Sequence, residues 1–139
     1  HILPPLQICI TERDAMEWAQ ILDDGNPLHS DADALAAHGI GRGIVNPGPA
    51  NMGYLMTLLL KSFPGASIEE FDARFIGIVL APSEVEACGR IEREDSTPTG
   101  RVLRCSLELR AEGVIAVTAT ARIRVDAVGI AALPIGELR

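Results

Sequence analysis

Asp24 and His29 are the side chains best suited to chemistry in this 139-residue chain, and they stand five positions apart across Gly25-Asn26-Pro27. A carboxyl and an imidazole have different proton affinities. Held beside one substrate or one water, they can move protons in both directions, which is general acid–base catalysis. The residues between them favour a stiff loop. Pro27 fixes its own φ and biases Asn26 away from the helical region, and Gly25 and Asn26 tolerate the unusual φ values of a tight bend. Ser30 and Asp33 have capping-box spacing, which predicts a helix over 31–38, closed by Gly39 as a left-handed cap. His29 would then stand just before a helix N-terminus, where the dipole disfavours imidazolium. Asp24 falls just past the preceding helix.

The elements that must position this pair follow from periodicity. Leu6 to Ile10 reads as a strand. Thr11 is placed to N-cap a helix, with Asp14 at N3 and an apolar stripe of Ala15, Trp18, Ala19 and Leu22. The glycine-rich stretch 39–43 is a flexible connection. Ile44 to Gly48 then leads into a helix over Pro49 to Lys61, with Pro49 at its first position. Met52, Tyr54, Leu55, Met56, Leu58, Leu59 and Leu60 leave that helix almost no polar face, so it belongs inside the protein. A Pro-Gly turn follows within Ser62 to Gly65.

From Ala66 the period becomes two. Phe71, Ala73, Phe75, Gly77 and Val79 share one face, and Asp72 and Arg74 the other. Val85, Ala87, Gly89 and Ile91 form a second such set. Leu103, Cys105, Leu107 and Leu109 form a third, and the odd positions from Ile115 to Val125 a fourth. Ala111 to Gly113 reads as a hairpin turn, and Glu94 to Gly100 as a longer one. These segments make an antiparallel sheet with one buried face. A long antiparallel sheet curled around one buried helix is an α+β, hot-dog architecture. The length suits one domain over 1–139, with a poorly specified tail beyond residue 127.

The bulk properties exclude several partners. Apolar residues make up 47% of the chain and aromatics only 4%, so the core must be aliphatic. A net charge of −7 argues against nucleic acid and anionic membranes. All basic residues but Lys61 are arginines, and arginine forks can clamp a phosphorylated small ligand. Arg42 and Arg74 are candidates, although solvated arginines are the commoner outcome. Cys9, Cys88 and Cys105 lack metal-ligand or disulfide spacing and read as buried reduced thiols. No metal is expected. The chain opens with no signal-peptide pattern, and its longest apolar run, Met52 to Leu60, is too short to span a bilayer. The expected location is the cytoplasm.

The segment Leu22 to His29, with Asp31 and Ala34 after it, resembles the hydratase signature of the MaoC-like dehydratases and (R)-specific enoyl-CoA hydratases. That signature is a small apolar stretch followed by Asp-x-Asn-Pro-Leu-His-x-Asp, and every fixed position from Asp24 to Asp31 is present. Arg42-Gly43-Ile44-Val45 resembles the family's approach to its central helix. The resemblance implies reversible addition of water to the 2,3 double bond of an enoyl thioester on coenzyme A, giving the (R)-3-hydroxy product. It implies that Asp24 and His29 share one water, one group taking its proton and the other protonating the α-carbon. Asn26 would hold the loop or orient the pair. No cofactor is implied beyond the coenzyme A of the substrate. The acyl tunnel would lie at a subunit interface, which implies a homodimer or higher homo-oligomer, or a heteromer.

In the family a backbone N–H at the start of the central helix stabilises the thioester oxygen, a donor typically worth about 3 kcal/mol. A His-Gly pair usually stands there, and this chain has Asn46-Pro47. Proline has no N–H. The donor is then Gly48 after a one-residue shift, or the Asn46 amide, or the hole is impaired; Gly48 is favoured, because glycine lets a ligand approach closely. Asn46 also suits a cap or turn role. Tyr54, with Met52 and Met56, reads as core or lining of the acyl pocket. The departure motivates a second function, a non-catalytic or half-catalytic acyl-binding subunit of a heteromer; a third reading is an acyl-CoA thioesterase on the same fold.

Overall fold

The computed structural model describes residues 1–127. A five-stranded antiparallel sheet has the order β1-β5-β6-β7-β3, from β1 (Leu6–Ile10), β3 (Ser67–Phe75), β5 (Ser83–Thr97), β6 (Gly100–Ala111) and β7 (Val114–Asp126). A short pair, β2 (Ile44–Val45) and β4 (Leu80–Ala81), lies apart from it. Helix α1 (Glu12–Ile21) follows β1, and α2 (Gly48–Ser62) packs against β3, β5 and β6. This is the hot-dog, α+β architecture expected from the period-two segments around one apolar helix. Among the described residues no helix is long and apolar enough to cross a membrane.

The core lies between α2 and the sheet. Leu55, Leu58 and Leu59 of α2 meet Val85, Ala87, Leu103, Leu107, Leu109, Val117 and Ile123. Gly89 of β5 faces this contact. A Cβ there would stand 2.6 Å from a Leu107 methyl and 3.3 Å from a Leu58 methyl, so glycine leaves room for both leucines. α1 begins as its spacing predicts: Thr11 accepts from the Asp14 N–H at 3.0 Å, and the Asp14 carboxylate accepts from the Thr11 N–H at 2.9 Å. The Thr11 backbone N–H, and secondarily its hydroxyl, hold the Asp14 carboxyl below its ordinary pKa. α1 buries Ala15 and Ala19, while Leu22, predicted in the same stripe, is 37% exposed at the C-cap.

Four further expectations need correction. The turn expected over Glu94 to Gly100 is only Pro98-Thr99, because β5 and β6 stay paired to Thr97 and Gly100. The polar run resembled a loop, yet it is a solvated ladder carrying the Arg93–Asp95 and Arg101–Glu94 ion pairs. β3 stops at Phe75 rather than running on to Val79; the Ile76 and Gly77 N–H groups both turn to the Ala116 carbonyl, and Val79 enters the core. α2 starts one residue early, at Gly48, and carries one buried polar residue, Asn51. Of the cysteines, Cys9 is exposed, Cys88 half-buried and Cys105 buried. The expected tail at 128–139 lies outside the described residues.

Candidate active site

The chain reverses after α1 at Leu22, and Asp23 takes the left-handed φ of 52° that the sequence suggested for Gly25 or Asn26. Asn26 has an ordinary φ of −63°. Side chains, not unusual dihedrals, shape the bend. Asp24 Oδ1 accepts from the Asn26 N–H at 3.0 Å, and Asn26 Oδ1 accepts from the Leu28 N–H at 3.1 Å. These are two successive Asx bonds. Pro27–His29 then forms a single 3-10 turn that Ser30 ends.

The helix expected over 31–38 is absent. Asp31 Oδ1 takes the Asp33 N–H at 2.9 Å, which breaks the Ser30/Asp33 capping box, and only a 3-10 segment Ala34–His38 follows. Gly39 closes it with φ 70°, as expected. So short a segment leaves no helix dipole of consequence at His29. His38 is exposed at its end.

What orients His29 is the backbone of β2. Its Nδ1 lies 2.7 Å from the Val45 carbonyl oxygen. A carbonyl only accepts, so Nδ1 carries the hydrogen and Nε2 is the nitrogen turned toward Asp24. Nε2 lies 3.2 Å from Asp24 Oδ2, with the imidazole 12% and the carboxylate 40% exposed. One proton fits between the two atoms, and both retain access to solvent on the open side. The sequence placed this pair together, but nothing local in it announced the Val45 carbonyl sixteen residues away.

Asn46 follows immediately. Its N–H pairs with the Val79 carbonyl at 2.8 Å, so it continues the β2–β4 ladder. Its side chain is not a helix cap. It is 2% exposed, and Nδ2 donates to Asn51 Oδ1 at 2.7 Å and to the Tyr54 hydroxyl at 3.5 Å. Asn46 Oδ1 is buried without a partner. Tyr54 is half-buried, and burial raises its pKa. Asn51 escaped the sequence reading, because one amide in an apolar run carries no periodic signal.

Pro47 precedes the helix, Gly48 is its first residue and Pro49 its second. The Ala50 and Asn51 N–H groups return to the Pro47 carbonyl, at 3.0 and 3.3 Å. Gly48 therefore brings the one N–H at this helix start that forms no backbone bond among the described residues. A Cβ on Gly48 would stand 3.2 Å from Phe75 Cε1, so the ring of β3 already flanks this backbone. Of the arginines, Arg42 is spanned by Asp33 at 2.8 Å, and Arg74 lies on the outer face of β3. Arg42 borders a cleft of about 470 Å³ whose walls include Gly43, Ile78, Leu80 and Pro82.

Known structures share this architecture. The (R)-hydratase from A. caviae involved in PHA biosynthesis superposes with a TM-score of 0.81 at 19% identity, over 90% of this chain and 94% of that one. The R-hydratase PhaJ1 from Pseudomonas aeruginosa gives 0.77 at 20% identity, over 96% and 88%. The ChsH1–ChsH2 complex from Mycobacterium tuberculosis gives 0.75 at 20% identity, over 90% and 95%. No curated protein matches the sequence. A family model for the MaoC like domain matches residues 2–104, which contain the Asp24–His29 pair, the Asn46–Gly48 approach and all of α2. The chain belongs to the MaoC-like dehydratase family.

Proposed function

We propose that the chain catalyses reversible hydration of a trans-2-enoyl-CoA to an (R)-3-hydroxyacyl-CoA. The observation that carries this reading is the 3.2 Å approach of Asp24 Oδ2 to a His29 Nε2 whose tautomer is set by Val45. Water would sit against both groups. In the ion-paired state Asp24 is the acceptor and His29 Nε2–H the donor. Asp24 takes a proton from water as its oxygen bonds to C3, and the π electrons of the double bond move toward the thioester carbonyl. His29 then gives its Nε2 proton to C2. Transfer from Asp24 to His29 across the short gap restores both groups.

The carbonyl oxygen gains charge during this sequence. The Gly48 N–H at the head of the fifteen-residue α2 is the donor we assign to it. Asn26 holds the bend, Tyr54 lines the acyl side, and Asn46 ties the approach strand to α2. The test is the ultraviolet absorbance of short enoyl thioesters, followed with the protein alone. Asp24→Asn and His29→Ala should each lower turnover about a thousandfold or more with the fold intact; wild-type turnover in either would end the assignment.

Pro47 supports a second reading, an acyl-binding subunit that completes a partner's site. It takes the place of the glycine whose N–H the family uses. It predicts a purified homomer that binds acyl-CoA without hydrating it and gains activity when a partner subunit is added. An active homomer removes it.

A further inference from the structure

Asn46 and Asn51, 2% and 3% exposed, are the two buried polar residues among those described. Their pairing is incomplete. Asn46 Nδ2 donates to Asn51 Oδ1 at 2.7 Å, while Asn46 Oδ1 is buried without a partner. A buried acceptor left unmet costs stability, and two apolar side chains of the same shape carry no such cost. The amide pair is therefore a poor way to fill this space. What it supplies is direction.

The backbone around Asn46 shows what is being aimed. One planar peptide unit joins Val45 to Asn46. Its carbonyl takes the His29 Nδ1 hydrogen at 2.7 Å, and its N–H donates to the Val79 carbonyl at 2.8 Å. The plane of this single unit thus holds the imidazole. On the far side of the Asn46 Cα, the Pro47 ring fixes φ at −59°, and Gly48 begins α2. Asn51 returns to this stretch twice: its N–H reaches the Pro47 carbonyl at 3.3 Å, and its side-chain oxygen takes the Asn46 amide. Tyr54, on the same face of α2 as Asn51, accepts from Asn46 Nδ2 at 3.5 Å. The torsions of Asn46 are the joint between the His29 anchor and the Gly48 N–H, and the clamp onto α2 closes that joint.

We propose that Asn46 is a positioning residue: clamped to Asn51, it sets the angle between the His29 imidazole and the Gly48 N–H, so that both meet one thioester. The use made of that angle rests on the catalytic reading above; the hold on the imidazole does not. A displacement of about 1 Å at such a joint costs about a hundredfold in rate.

The test replaces the amides by leucine, which is close to asparagine in shape. Asn46→Leu alone strands the Asn51 amide and should lower the thermal midpoint. N46L/N51L removes both amides and should return the midpoint to the wild-type value or above it. In both variants kcat for a short enoyl thioester should fall about a hundredfold, with KM within about threefold of wild type. A second readout needs no turnover. The His29 Nδ1 proton, held on the Val45 carbonyl, should give a downfield imidazole N–H resonance in wild type that is missing from His29→Ala. In N46L/N51L that resonance should shift upfield or vanish into exchange. Wild-type kcat in the double variant, an unchanged Nδ1 resonance there, or a double variant that unfolds as readily as Asn46→Leu would overturn the proposal. A wild-type chain that shows the resonance, loses it in the double variant and hydrates no enoyl thioester would instead count against the catalytic reading.

Discussion

Residues 22–46 and the five-stranded sheet are held by different means. The sheet is a ladder with an aliphatic face, and each strand contributes residues to one core. The segment between α1 and α2 has one strand, two residues long, and two brief 3-10 turns. Its order comes from single hydrogen bonds: Asp24 to Asn26, Asn26 to Leu28, Asp31 to Asp33 and His29 to Val45. Buried apolar anchors are few here, chiefly Leu35, Ile44 and Val45. In the proposed mechanism chemistry and stability thus rest on separate sets of residues, and substitutions should separate them.

The widest separation should come from His29→Ala. It should cost about 4 kcal/mol of transition-state stabilisation, roughly a thousandfold in kcat/KM, with a thermal midpoint within a few degrees of wild type. A variant that lost stability in proportion would erase the distinction between the two regions. Leu109→Ala, fully buried in β6, should do the reverse. It should destabilise by about 2–5 kcal/mol in denaturant titration and leave turnover per folded molecule unchanged. Gly89→Ala sharpens the contrast inside the sheet. The added methyl meets Leu107 and Leu58, and overpacking of this kind costs about 1–3 kcal/mol. Thr11→Ala removes the α1 cap and should cost about 1 kcal/mol.

The Asp14 half of that cap adds a small pH dependence. Its folded carboxyl pKa is lowered, so its contribution is present above the unfolded value near 3.8 and is lost as pH falls through the lower folded value. Thiol labelling ranks the cysteines by the same logic of region. Burial lifts the Cys88 and Cys105 thiols to about 11, so a thiol-reactive dye at neutral pH should modify exposed Cys9 first. Equal rates at all three would show that the sheet opens readily.

The two regions also differed in how much of them the sequence disclosed. Alternation from Phe71 to Val125 carried the strands, because a half-buried sheet imposes period two on every residue. It misled where burial stopped. Glu94 to Thr97 looked like a loop, since this strand end shows no apolar face. In the loop, the Asp24 and His29 pairing was legible from spacing and family signature. The Asx bond of Asp31, the left-handed Asp23 and the Asn46–Asn51 amide pair were not. Each depends on which of several neighbouring polar groups wins one donor, and composition does not decide such contests. The packing of Phe75 against Gly48 was equally hidden, being a contact between α2 and a strand end far along the chain.

The Val45 carbonyl has a consequence for how this site can vary. The atom that fixes the imidazole belongs to the main chain, so no codon change at position 45 can delete it. A saturation scan would score that position by the fit of its side chain beside Leu80 and would pass over its electronic role. Only an amide-to-ester exchange one residue later, which weakens that oxygen as an acceptor, would expose how much of the proposed proton chemistry an uncoded atom directs.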